Sequence, residues 1–224
     1  MLAWRRQLRP GSVFVDVGAN IGVYTLWAAE SGAHVIAIEP DRDAFSCLQE
    51  NLSLNNYDVT PLPLALSDRP GELRLTRARD SSLNHLVFGD GPASTQTVAV
   101  DTLDNVLGER TADGVKIDVE GSERLVLEGS QRCLGDHRIR MLQVEWNEMS
   151  QRMLAEDRSP IADLLRDHGY DLFRPNRAGE LEPIQETGFG ADVFAVPNPD
   201  TVSRQEPLSF PAMRSISRTT APPD

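Results

Sequence analysis

Two short apolar segments, VKIDVE (115–120) and LQVEWN (142–147), are interrupted at every second position by a charged or amide residue. Successive side chains of a strand point to opposite faces, so Lys116, Asp118 and Glu120 share one face and Val115, Ile117 and Val119 the other. In the second segment Gln143, Glu145 and Asn147 oppose Leu142, Val144 and Trp146. Central parallel strands are covered on both faces and ordinarily read as unbroken apolar runs. If the two strands are neighbours, up to six polar groups converge near their carboxyl ends and must pair or meet a ligand, because burying them alone is costly. The chemistry they offer is proton transfer at a hydroxyl, with an ammonium orienting the carboxylates. Lys116 is the one lysine among 22 basic residues, and its place in this cluster favours a role over accident. Asp118, Glu120 and Glu145 would also suit a divalent cation. Lys116 would compete for them, so the expectation is a site without metal. His85, in SSLNHL (81–86), is a further base able to titrate near neutral pH, against the plainer reading of a solvated loop histidine.

A second constellation lies in VFVDVGANIGVYTLWAA (13–29), where Asp16, Gly18, Asn20 and Gly22 separate a strand-like run from a helical one. The plain reading is a strand, a turn and a helix, with the glycines turning the corner. The binding reading is a backbone that lets a small ligand approach. A dinucleotide G-x-G-x-x-G fingerprint fails here, because Asn20 and Val23 stand at its second and third glycines, and no phosphate loop occurs. Asp16 would repel a pyrophosphate, but it suits a ligand bearing an ammonium and a sulfonium, as S-adenosylmethionine does. Glu39, followed by Pro40, ends the next strand; an acid there can accept hydrogen bonds from both hydroxyls of a ribose, or merely cap the next helix.

The elements that must position these groups alternate between strand and helix. SVFVDVG, HVIAIEP, VTPLPLALSD, GVKIDVE and MLQVEWN read as strands, with Pro61 and Pro63 placing the third near a sheet edge. Helical stretches follow in NIGVYTLWAAESG, DRDAFSCLQENLSLNN, SERLVLEGSQRCLG and SPIADLLRDHGY. YDLFRP and ADVFAVP close the pattern with no helix between them. The expected fold is α/β: a doubly wound, mostly parallel seven-stranded sheet with an antiparallel edge hairpin. ELRLTRA and TQTVAV flank an irregular stretch, 77–96, that would border the substrate or simply loop over the surface. Residues 1–197 form one domain, and 198–224 lack periodicity and read as a disordered tail.

Composition excludes several classes. There are 34 acidic against 22 basic residues, a net charge of -12, which argues against a nucleic-acid partner. Cys47 and Cys133 lack metal-ligand spacing and read as reduced core thiols. No run reaches membrane-spanning length and no signal peptide is evident, so a cytoplasmic protein with no membrane partner is expected. Homo-oligomerisation is left open.

The order D-x-G-x-N-x-G, then IEPDRDAFSCLQENLSLN, LALSD, VDTLDNVL and VKIDVEGSERLVLEGS resembles the FkbM family of S-adenosylmethionine-dependent methyltransferases, over residues 10–196. The resemblance implies the class I methyltransferase, Rossmann-like fold and O-methylation of a hydroxyl on a sugar, glycoside or polyketide-type natural product. It places Asp16, Gly18, Asn20 and Gly22 at the methionine end of the cofactor, Glu39 and Pro40 at the ribose, and Leu66 and Ser67 against the adenine. Asp118 falls beside donor and acceptor, with Lys116, Glu120, Glu145 and His85 as further catalytic candidates. The rival readings are a catalytically inactive nucleoside-binding scaffold of the same fold and a nicotinamide-dependent oxidoreductase, the latter lacking its fingerprint.

Overall fold

The computed structural model describes residues 1–77, 84–87, 94–145, 159–184 and 192–202. In chain order its strands are β1 (Val13–Val17), β2 (His34–Ile38), β3 (Val59–Leu62), β4 (Ala65–Leu66), β5 (Gly71–Thr76), β6 (Leu86–Val87), β7 (Thr95–Asp101), β8 (Gly114–Ile117), β9 (Leu142–Val144), β10 (Tyr170–Pro175), β11 (Leu181–Pro183) and β12 (Val193–Pro197). The described helices are α1 (Leu2–Gln7), α2 (Val23–Glu30), α3 (Arg42–Ser53), α4 (Leu103–Leu107), α5 (Glu123–Glu128), α6 (Gln131–Gly135), α7 (Ser159–Asp167) and α8 (Pro199–Val202).

The main sheet runs β11-β10-β12-β9-β8-β1-β2-β3, with β3, β2, β1, β8 and β9 parallel. Its first three strands proceed outward from β1 in one direction, and the chain then returns to place β8 on the other side. That reversal between β1 and β8 is where open α/β sheets bind ligands. Alternation sorts the side chains. Val15, Val17, Ile36, Ile38, Val115, Ile117, Leu142 and Val144 face one way and bury against α4, α5, α6 and α7. Phe14, Val35, Met141 and Phe194 face the other way, against Trp4 of α1 and Ala28 and Ala29 of α2. Trp4 is fully buried, edge-on to Phe14 at 5.1 Å between ring centroids.

Local chemistry sets the helix starts. Asp41 caps α3, accepting from the Asp43 and Ala44 N–H groups at 3.0 and 2.9 Å. β3, with Pro61, is an edge strand as its prolines require.

Several expectations change. The main sheet has eight strands rather than seven, because β11 adds to the outer side of β10. YDLFRP and ADVFAVP do pair antiparallel, but ADVFAVP lies inside the sheet, between β9 and β10. VTPLPLALSD is not one strand. Its second half, β4, leaves to join a separate four-stranded sheet, β4-β7-β5-β6, that takes in ELRLTRA, TQTVAV and part of the 77–96 stretch. SERLVLEGSQRCLG breaks into α5 and α6 at Gly129, where a Cβ would lie 2.1 Å from the Ser67 carbonyl oxygen. Cys133 is buried as expected, but Cys47 is exposed on α3. The 198–224 tail opens with the short helix α8; the rest of it, 203–224, lies outside the described residues.

Gly129 is thus one contact between the helical layer and the peptide that leaves β4. Gly129→Ala is expected to destabilise the protein by about 1–3 kcal/mol, since the new methyl meets backbone that cannot rotate away. Urea unfolding checks it, and an unchanged midpoint would refute the contact.

Candidate active site

The carboxyl ends of β1 and β8 nearly touch. A Cβ built on Gly18 would lie 1.9 Å from the Asp118 carbonyl oxygen, and Gly18 has φ +79°. Only glycine meets both demands. Gly22, φ +96°, precedes α2, and a Cβ there would press on Leu48 of α3 at 2.7 Å. Both glycines therefore have packing reasons inside the protein itself, and the case for a ligand rests on their polar neighbours.

Those neighbours form a row across three strands. Asp16 of β1 is in register with Lys116 of β8, which is in register with Gln143 of β9. The Lys116 ammonium donates to Asp118 Oδ2 at 2.8 Å, lies 3.9 Å from Asp16 Oδ1 and sits 4.7 Å from the centroid of the Tyr24 ring. Burial alone would lower the Lys116 pKa, but Asp16 and Asp118 outweigh it and hold the ammonium above the ordinary lysine value. Asp16 is fully buried, which raises its pKa against the pull of Lys116 and of the Thr25 hydroxyl. That hydroxyl donates to Asp16 Oδ2 at 2.7 Å, while Oδ1 accepts no hydrogen bond.

Glu39 ties two loops together. Its Oε2 accepts the Asn20 N–H and its Oε1 the Asp41 N–H, both at 2.8 Å. Asn20 is held in a left-handed conformation, φ +49°. Glu39 is therefore not the cap of α3; Asp41 is. Burial, offset in part by these two N–H groups, pushes the Glu39 pKa up to about 7.

Strand alternation ends at Ile117, so Glu120 does not reach the site as a strand residue. It turns in through a left-handed backbone, φ +52°, followed by Gly121 at +107°. Buried Glu123 holds this turn by accepting the Val119 and Gly121 N–H groups at 3.2 and 3.0 Å. Oxygens of Asp118, Glu120 and Glu145 come within 4.8 Å of one another. Burial and then the charges of Asp118, Glu123, Glu120 and Asp192 push the Glu145 pKa up to about 9.

A cleft of about 320 Å³ opens over these groups. Asp16, Gly18, Asn20, Glu39 and Pro40 line it from the β1 and β2 ends, and Lys116, Asp118 and Glu120 from the β8 end. Leu66 and His85 reach it from the second sheet, where Leu64, Leu75 and Leu86 complete an apolar wall. Gly22, Ser67 and Glu145 do not line it. Ser67 instead turns its hydroxyl to Asp68 at 3.1 Å. Gln143 is not offered to the cleft either: Trp4 Nε1 donates to its Oε1, and its amide donates to Asp192. Asn147 lies outside the described residues. Tyr24, Glu123 and Asp192 escaped sequence reasoning. The Glu two residues past the Glu-Gly turn was a readable signal for Glu123; nothing local marks the other two.

The pattern of the methyltransferase FkbM domain matches residues 16–172. The chain belongs to the FkbM methyltransferase family. Among curated relatives of this FkbM chain, it is 32% identical over 123 residues to the hexuronic acid methyltransferase AglP of Haloferax volcanii, covering 54% of this chain and 51% of AglP. It is 29% identical over 201 residues to the 31-O-demethyl-FK506 methyltransferase FkbM of Streptomyces tacrolimicus, covering 74% of this chain and 75% of that one. The chain thus spans about half the length of AglP and three quarters of the Streptomyces protein. Among solved structures, magnesium protoporphyrin IX methyltransferase (ChlM) from Synechocystis PCC 6803 with bound SAH superposes with TM-score 0.50 at 13% identity, over 88% of this chain and 80% of that one, a likeness of fold.

The fold is that of the class I methyltransferases, and the family's cofactor is S-adenosylmethionine. The cleft fits that group. Asp16 Oδ1, 3.9 Å from the Lys116 ammonium, is a buried acceptor without a hydrogen bond and could take one from a second ammonium; Glu39 keeps lone pairs for hydroxyl donors; the leucine wall suits a flat purine.

The raised Glu145 pKa carries a stability prediction. The folded state retains a proton that the unfolded chain releases near pH 4.5, so this group's contribution falls as pH rises from there to about 9. Above pH 7.5, beyond the Glu39 range, the thermal midpoint should fall toward pH 9 in the native protein and fall less in Glu145→Gln. Parallel curves by differential scanning calorimetry would refute the assignment.

Proposed function

We propose that this protein is an S-adenosylmethionine-dependent O-methyltransferase acting on a hydroxyl of a small molecule: a sugar, a glycoside or a polyketide-type natural product. The observation that carries the reading is the Lys116–Asp118 pair, 2.8 Å apart, in a cleft that Asp16 lines beside Lys116 and Glu39 lines from the end of β2. The names of two relatives, a hexuronic acid methyltransferase and an FK506-type O-demethyl methyltransferase, point to hydroxylated acceptors of this kind. A net charge of -12 fits a small-molecule acceptor better than nucleic acid.

When bound, the cofactor supplies a methyl group made electrophilic by its sulfonium. The residues of the chain do the rest. Asp16 receives the ammonium and Glu39 the ribose hydroxyls, fixing the donor at one end of the cleft. The acceptor hydroxyl approaches Asp118, which is 37% exposed while Lys116 behind it is 5% exposed. Asp118 would take the hydroxyl proton, and Lys116 would hold the carboxylate in place throughout. Burial and the neighbouring acids raise the Glu145 pKa, so Asp118 is the better placed base of the two. A scaffold that only bound nucleosides would have no use for a buried cation held against two acids.

Two variants separate the roles. Glu39→Ala is expected to weaken S-adenosylhomocysteine binding by roughly 10- to 100-fold, the worth of hydrogen bonds to a charged group, measured by calorimetry with the thermal midpoint as control. Asp118→Asn should lower kcat by about 10² to 10⁴ while leaving cofactor affinity nearly unchanged. Equal losses in both quantities would reassign Asp118 to cofactor binding.

A further inference from the structure

Among the described residues, the Lys116 ammonium meets three groups: Asp118 Oδ2 at 2.8 Å, Asp16 Oδ1 at 3.9 Å and the Tyr24 ring, 4.7 Å to its centroid. The two acids are not equivalent. Asp118 accepts a hydrogen bond, whereas Asp16 Oδ1 stands beyond that distance. A lysine stem is flexible, and an ammonium between two carboxylates can shift toward either. The ring lies on a further side. Tyr24 is the second residue of α2 and is held from two directions. Its neighbour Thr25 donates to Asp16 Oδ2 at 2.7 Å, which ties the first turn of the helix to β1. Its hydroxyl accepts from the amide of Gln143, the β9 residue in register with Lys116, at 3.5 Å. The side chain is half-buried and lines the cleft that Lys116 and Asp118 line. A ring face within about 6 Å attracts a cation, the more so where water is excluded, and Lys116 is 5% exposed.

We propose that Tyr24 is a positioning residue for the reaction: its ring face keeps the Lys116 ammonium on Asp118, and through it fixes the carboxylate that meets the acceptor hydroxyl. The inference rests on the methyltransferase reading above and deepens it. Without the ring, one side of the ammonium opens to water, its hold on Asp118 slackens, and the base loses its set direction. The ring face does this work. The hydroxyl serves only to aim it, together with Thr25.

Lys116 is the one lysine of the chain, so protein grown on 13C-lysine gives a single side-chain signal by NMR. In the native protein its Hε protons should lie upfield of free lysine, under the ring face, and Tyr24→Phe should keep them there. Tyr24→Leu, with Tyr24→Met as a second ringless variant, should return them toward the free value. The second readout is methyl transfer from labelled S-adenosylmethionine to the best acceptor in a panel of glycosides and macrolide-type alcohols. The ringless variants should lower kcat by about 3- to 30-fold, the worth of a desolvated cation–π contact, at unchanged S-adenosylhomocysteine affinity. Tyr24→Phe should recover most of that loss, and the thermal midpoint checks that each variant is folded. A lysine signal that the ringless variants do not move would overturn the proposal. So would an unmoved kcat, a Tyr24→Phe as slow as Tyr24→Leu, or an equal loss of cofactor affinity. No transfer by the native protein to any member of the panel, with S-adenosylhomocysteine binding intact, would instead overturn the O-methyltransferase reading itself, and this inference with it.

Discussion

A single buried ammonium organises the centre of this molecule. Lys116 stands in the middle strand of a parallel sheet, where unbroken apolar residues are the rule, and it is tolerated because Asp16 and Asp118 flank it and Tyr24 offers its ring face. Removing both acids would leave an uncompensated charge in a water-poor interior. The row Asp16–Lys116–Gln143 depends on strand register, and that register depends on the packing of Phe14, Met141 and Phe194 around Trp4 on the same face. Electrostatics at the site and hydrophobic packing beneath it are thus one construction. Two acids outweigh the burial of the lysine and hold its pKa up, while burial and then a crowd of carboxylates a few ångströms on raise that of Glu145.

Much of this was legible from residue types and spacing. Polar residues at alternate positions in VKIDVE marked the reacting end of the sheet, and the acid after HVIAI marked the end of β2 that borders the cleft. What the alternation rule missed began where the strand stopped. Glu120 reaches the cluster by a left-handed turn, and such a turn leaves only a weak trace, the following glycine, in the residues themselves. Gln143 obeyed the alternation but was claimed by Trp4 and Asp192, residues far away in the chain whose approach no local pattern announces. The second sheet was hidden for a similar reason. VTPLPLALSD reads as one extended run, and only the competing pairing of Ala65 and Leu66 with Val100 and Asp101 divides it.

The second sheet matters to function because it supplies the apolar side of the cleft. Leu66, Leu75 and Leu86 come from three of its strands, whereas the charged side comes wholly from the main sheet and its loops. Described side chains join the two sides. Asp41 is one: with one oxygen it caps α3, and with the other it accepts from Asn84 and Gln96 of the second sheet at 3.1 and 2.6 Å. Glu39 accepts the N–H of the same Asp41, so the groups at the nucleoside end of the cleft and the bracing of its apolar wall share one short peptide segment.

The missing side chain at Gly18 lets the loop after β1 rest directly on the peptide of Asp118. Because main chain abuts main chain, with no compressible rotamer between them, the two loops behave as a single rigid jaw. Any displacement of the turn after β1 is handed straight to the peptide of Asp118. On the methyl-transfer reading proposed above, a change on either side of this contact would act on donor and acceptor together, and variation in the cleft is more easily accommodated in the walls around the jaw.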